Sequence, residues 1–164
     1  MGYPEKAFDT VSISHALCEF DDGDRTALLR IMRRLIRPGG VLIVSDTPRD
    51  QKTEPELTHV LLHDWWSDVD AHNGVLHRPF RARVELVAQV EVLELRSLRL
   101  FDVPDSPGDP HDPAQIAWID GVIDTSLRRV ADETALHARG IELRERMHRV
   151  GFRLSTAQVA IGEV

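Results

Sequence analysis

Two stretches decide the reading of this chain: Phe8-Asp9-Thr10-Val11-Ser12-Ile13-Ser14-His15 and Leu35-Ile36-Arg37-Pro38-Gly39-Gly40-Val41-Leu42-Ile43-Val44-Ser45-Asp46. The first is short and rich in β-branched residues, which suits a strand over Phe8–Ile13. The second carries a continuous apolar run, Val41 to Val44, and an unalternating strand belongs in a parallel sheet covered on both faces. Between them Leu28, Leu29, Ile31, Met32, Leu35 and Ile36 recur at helical spacing. Asp21, Asp22 and Asp24 favour the start of that helix, and Arg33, Arg34 and Arg37 favour its end. Pro38-Gly39-Gly40 is expected to stop it. Strand, helix and strand make one βαβ unit over 7–48.

Working outward, the 164 residues suggest one domain spanning 1–164. Hydrophobic residues at 42% and charged residues at 29% are an ordinary globular balance, which excludes a disordered or fibrous chain. Twenty basic against 27 acidic residues leave a net charge of −7, which argues against binding nucleic acid or anionic lipid. Lys6 and Lys52 are the only lysines; arginine supplies the rest of the positive charge. The single cysteine, Cys18, excludes an internal disulfide and reads as a small buried hydrophobe. No apolar run follows Met1-Gly2-Tyr3-Pro4-Glu5-Lys6, and no run approaches a membrane span, so the expected compartment is the cytoplasm.

Residues 53–79 read as a helical, lid-like segment after a polar loop at Thr47–Lys52. Thr53 is its cap, Pro55 sits in its first turn, and Leu57, Val60, Leu61, Trp65 and Val69 form its stripe. Asn73-Gly74 marks a turn. Residues 80–103 supply a helix over Phe80–Val90, with Val84, Val87 and Ala88 inward, and then a strand over Val92–Phe101. A Pro/Asp-rich loop covers 104–112. In 113–164 a helix capped by Asp112 buries Ile116, Ile119, Ile123, Leu127 and Val130. A second helix over Glu133–Val150 is weakened at Gly140 and stopped by Gly151, and a strand over Phe152–Ile161 closes the chain.

The stretch Phe8-Asp9-Thr10-Val11-Ser12-Ile13-Ser14-His15-Ala16-Leu17 resembles the fourth-strand motif of class I S-adenosylmethionine-dependent methyltransferases. Met32 to Val44, with its Arg37-Pro38-Gly39-Gly40 joint, is similar to the next helix and fifth strand of that family, and Gly151-Phe152-Arg153 is similar to the entry into its terminal strand. The resemblance implies an α/β fold: a partial Rossmann-like sheet, strands equivalent to the fourth to seventh, with flanking helices and a C-terminal antiparallel strand pair. The family's first strand carries a Gly-x-Gly loop, and its second ends in an acid for the ribose. No two glycines of this sequence are separated by one residue, so the chain resembles the C-terminal half of the fold. The family's fourth strand pairs with its first, so Phe8–Ile13 is expected to be an open edge that recruits a second copy or a partner chain.

The resemblance places cofactor contacts at Ser14, His15 and Leu17, just beyond a strand's carboxyl end, where ligands of open α/β sheets sit. His15 is also a candidate base, or a group orienting the acceptor; the bland reading is local backbone satisfaction. Ser45, Asp46 and Thr47 end the next strand, and Asp46 is a candidate for substrate contact or for a plain turn. His59, His63, Asp64, Asp70, His72 and His77 form the richest polar cluster. His59 and His63 share a helical face, so with His72 they could hold a metal, although a solvated histidine face is the plainer reading. His59 and His63 are also candidates to touch substrate, as is Trp66; Trp65 reads as packing. Asp102, Asp105, Asp109, His111 and Asp112 match no calcium loop. Arg128, Arg129, Arg144, Arg146 and Arg149 read as solvated faces interleaved with Glu142 and Glu145.

Three functions are open on this reading. The first is S-adenosylmethionine-dependent methyl transfer to a small-molecule acceptor, needing an N-terminal half. The second is a non-catalytic half-domain that binds a partner chain. The third is a metal-dependent enzyme built on His59, His63 and His72.

Overall fold

The computed structural model describes residues 2–51, 53–104 and 108–164; Met1, Lys52 and Asp105 lie outside them. In chain order the elements are β1 (Phe8–Ser14), a short 3-10 turn (Leu17–Glu19), α1 (Asp22–Leu35), β2 (Ile36–Asp46), α2 (Glu54–His72), α3 (Arg83–Glu91), β3 (Arg96–Val103), α4 (Pro113–Arg129), α5 (Thr134–Val150) and β4 (Ala157–Glu163). They fall into two compact units. Residues 2–49, 81–103 and 157–164 form the first; residues 50–80 and 104–156 form the second.

The first unit is a four-stranded sheet in the order β1-β2-β4-β3. β1 runs parallel to β2, as a helical crossover requires, while β4 is antiparallel to both β2 and β3. The expected partial sheet and terminal antiparallel pair are therefore present. Leu17, Leu29, Met32, Ile36, Leu42, Val44, Val90, Leu93 and Ala160 make its core. β1 is an edge: among the described residues its only neighbour is β2.

Pro38-Gly39-Gly40 is not a gap between helix and strand. β2 begins at Ile36, and the register passes from Phe8 opposite Ile36 to Thr10 opposite Val41. The extra residues bulge out of the ladder, where Pro38 has no N–H to donate and Gly39 takes φ +79°, open to glycine without strain.

Two further expectations are corrected in this unit. Leu86 and Val90 are the buried residues of α3, while Val84 is 72% exposed and Ala88 is exposed. The helix is short and apolar on two sides, so periodicity alone did not select the face. β3 starts at Arg96 rather than Val92, because residues 92–94 continue the turn out of α3 through bonds of Val92, Leu93 and Glu94 to preceding carbonyls.

The second unit is helical. Leu62, Trp65 and Val69 of α2 pack with Ile119, Ile123 and Leu127 of α4, Leu143 and Met147 of α5, and Val130 and Phe152. Thr53 caps α2 in a full capping box with Glu56, and Asp112 caps α4 through Ala114 N–H at 2.8 Å. Gly140 has a packing reason: a Cβ there would overlap the Trp65 indole and Leu127. Phe152 belongs to this core at 1% exposure, so the last strand starts at Ala157 rather than Phe152.

The basic residues of α4 and α5 do not pair with Glu142 or Glu145. Arg129 reaches Asp70, Arg144 reaches Asp120 and Asp124, and Arg146 reaches Glu54. The acidic loop is spent on local structure: Asp109 accepts from His111 N–H, and Asp112 is the α4 cap. Asp102 pairs with Arg83 in the first unit.

Candidate functional site

The carboxyl ends of β1 and β2 carry the polar residues picked out at the strand ends. Ser14 is the last residue of β1, opposite Ser45 of β2, and it is exposed. His15 follows in the left-handed region at φ +50°, which is strained for a residue with a Cβ. Two bonds hold it there. Its N–H donates to the Ser45 carbonyl at 2.9 Å, and its Nδ1 lies 3.2 Å from Thr47 Oγ1. The imidazole is otherwise exposed.

Asp46 and Thr47 lie beneath, at 6% and 2% exposure. Thr47 N–H donates to Asp46 Oδ1 at 2.8 Å. Burial pushes the Asp46 carboxyl above its ordinary range, while the Thr47 N–H and the charges of His15 and Arg25 pull the other way. Arg25, on the first turns of α1, is 1% exposed and lies 3.7 Å from Asp22.

Leu17 is not on this surface. It is 2% exposed in the core, since the 3-10 turn after His15 folds it under the sheet end. Leu17 and Asp46 line a cavity of about 10 Å3 with Val44, Leu86, Val90, Leu100, Gln158 and Ala160, room for about one water. Cys18 is buried, and burial with the nearby Asp46 and Glu19 charges pushes its thiol up to about 11, so it is no nucleophile at neutral pH. A larger hollow of about 390 Å3, lined by Val41, Ser97, Arg99, Ile161 and Glu163 among others, lies at the opposite end of the strands.

In the second unit His59, His63 and His72 each have a different partner. His59 Nδ1 accepts the Ser155 N–H at 3.0 Å, joining α2 to the segment after α5. His72 pairs with Asp132 at 3.8 Å. His63 instead meets His77, which spacing did not suggest: their Nε2 atoms are 3.0 Å apart, and His77 Nδ1 lies 2.8 Å from Asp70 Oδ2. Arg129 holds the other Asp70 oxygen at 2.6 Å. Phe80 stacks on His63 at 3.6 Å between centroids. Each imidazole is thus occupied by a different partner, and the structure does not bring together the alternative metal set of His59, His63 and His72. Burial, with His77 and His59 beside it, pushes His63 down to about 3.

Trp65 is packing, as expected: it is fully buried and its Nε1–H donates to the Leu136 carbonyl at 2.8 Å. Trp66 packs on the helical core only in part, and its Nε1 has no hydrogen-bond partner among the described residues.

Residues 1–44 match the family model described as a methyltransferase domain. The sheet supplies the other half of the comparison. A cyclopropane-fatty-acyl-phospholipid synthase-like protein from Lactobacillus casei superposes with a TM-score of 0.67 at 15% identity, over 99% of this chain and 58% of that one. The chain shares the Rossmann-like α/β fold of such structures. A SAM dependent methyltransferase from Archaeoglobus fulgidus is similar at TM-score 0.51 and 12% identity, covering 99% of this chain and 62% of its own. So is the cyclase SpnF, at 0.52 and 14%, covering 99% and 52%. No curated protein sequence matches. The chain thus spans only about three-fifths or less of the length of the structures it resembles. No helix among the described residues is long and apolar enough to cross a membrane.

Proposed function

We propose that this chain is the fourth-to-seventh-strand half of an S-adenosylmethionine-dependent methyltransferase acting on a small molecule in the cytoplasm, completed by polypeptide that pairs with the free edge of β1. The observation that carries the reading is the placement of Ser14 and His15. Both are exposed at the carboxyl end of a parallel strand, in a stretch that matches the methyltransferase family model.

The residues present fit one wall of a cofactor site. They offer an exposed hydroxyl and an exposed imidazole over a polar floor of Thr47 and Asp46. They do not supply a Gly-x-Gly loop, which this sequence lacks. When bound, S-adenosylmethionine supplies an electrophilic methyl group on a sulfonium. What this chain contributes is positioning. The strained His15 is held at a fixed point by Ser45 and Thr47, and in-line methyl transfer needs alignment more than acid–base chemistry.

Residues 53–79 are assigned to acceptor binding, with the half-buried Trp66 as the contact. His59 and His63 act there as scaffold, since His59 Nδ1 is bonded to Ser155 and His63 Nε2 to His77. A net charge of −7 supports a small acceptor over nucleic acid.

The test is calorimetry with S-adenosylhomocysteine on the protein isolated from its source, with intact mass and partner chains read in the same sample. One-to-one binding that weakens in Ser14→Ala and His15→Ala supports the reading. A native protein that binds none is a non-catalytic half-domain whose β1 edge serves a partner.

A further inference from the structure

The Thr47 hydroxyl decides which nitrogen of His15 faces outward, and we infer that it makes His15 a hydrogen-bond donor to its ligand rather than a base. The inference rests on the strand ends being the ligand side. Thr47 is 2% exposed, and among the described residues its hydroxyl has one hydrogen-bond partner, His15 Nδ1 at 3.2 Å. A hydroxyl carries one hydrogen, and leaving that hydrogen buried without an acceptor costs stability. Among the described residues its only hydrogen-bond partner is Nδ1, so the Thr47 O–H donates to that lone pair. Neutral His15 then carries its own proton on Nε2.

Among the described residues the ring has no second hydrogen-bond partner. The His15 backbone is fixed at φ +50° by the bond of its N–H to the Ser45 carbonyl, and Nε2 has no partner among the described residues. Thr47 also donates its own N–H to Asp46, so one buried residue sets both the floor and the tautomer. Thr47 is therefore a positioning residue. His15 presents an N–H suited to an oxygen lone pair on the ligand, carbonyl, hydroxyl or carboxylate, and it does not take up the acceptor's proton through Nε2.

The test is the tautomer itself, read by long-range proton–nitrogen correlation on nitrogen-15-labelled protein at about pH 8, above the ordinary imidazole range. The expected result is a pyridine-type Nδ1 and a pyrrole-type Nε2 for His15. Thr47→Val keeps the shape and should let a minor Nδ1-protonated form appear beside the Nε2 form, as in a free imidazole; Thr47→Ser should restore the single tautomer. A proton on Nδ1 in the wild type, or an unchanged tautomer in Thr47→Val, overturns the inference. If Thr47→Val does not fold, the wild-type spectrum and Thr47→Ser still decide. Calorimetry with S-adenosylhomocysteine reports separately on the methyltransferase reading, since His15 holds its tautomer whether or not that ligand binds.

Discussion

His63 and His77 face each other Nε2 to Nε2 at 3.0 Å, so the two imidazoles hold one proton between them. His77 gives its Nδ1 proton to Asp70, which Arg129 keeps ionised, and its Nε2 is left to accept from His63. A second proton on His63 would go to Nδ1, which is buried with no partner among the described residues, and would put a charge inside the stack with Phe80.

Acid should therefore destabilise the helical unit. Folded His63 stays neutral down to about pH 3, while in the unfolded chain an imidazole protonates near about 6.5. Between those limits the unfolded state binds the extra proton, so stability falls as pH falls, by up to about 1.4 kcal/mol per unit. Urea unfolding from pH 7.5 to about 5 checks this. His63→Phe, which keeps the stack and cannot titrate, should flatten the slope; equal slopes in the two proteins would remove His63 as the cause.

Glu56 is held by four donors: Thr53 N–H at 3.2 Å and O–H at 2.7 Å, Thr156 N–H at 3.2 Å and O–H at 2.6 Å. Burial alone would raise its carboxyl, but the bonds from Thr156 and Thr53 outweigh it and the pKa is lowered. Its stabilisation is present above the ordinary carboxylate range and lost as pH drops below it. Glu56→Gln turns donors toward donors and should cost about 1–3 kcal/mol. Thr53→Ala removes one side of the capping box and should cost about 1 kcal/mol. Denaturant midpoints at pH 7 measure both.

Gly140→Ala should destabilise, against helix propensity. Alanine gains about 1 kcal/mol in a helix interior. The new methyl, however, would meet the Trp65 indole and Leu127 in a packed core, where overpacking costs about 1–3 kcal/mol. A rise in melting temperature would show that α5 can shift away from Trp65 freely.

The free edge of β1 should make the isolated chain associate with itself. Sedimentation velocity over a wide concentration range is expected to show a concentration-dependent average mass. A single sharp monomer throughout would sink the idea of an edge that recruits a strand.

The sheet was legible because its signals are local. Continuous apolar residues from Val41 to Val44, the Thr53 and Asp112 caps and the Gly151 stop each act within a few residues. What escaped depends on distant partners. The face of α3 is chosen by what Leu86 and Val90 meet, and Phe152 looks like a strand residue until the helical core claims it. Histidine spacing suggested His59 with His63 and His72, but Ser155, His77 and Asp132 took them instead. At the strand ends Ser14 and His15 were found by position. The role of Thr47 was not, because a buried hydroxyl's single acceptor is visible only in three dimensions.

The insertion of β4 between β2 and β3 constrains the order of folding. β1, α1 and β2 are neighbours in sequence and can assemble early, but β3 reaches them only through β4. Residues 104–156, most of the helical unit, are synthesised while β3 waits unpaired with Leu100, Phe101 and Val103 on it. A nascent chain arrested before Ala157 therefore carries a sticky, unanchored strand, and that hazard closes only when β4 forms.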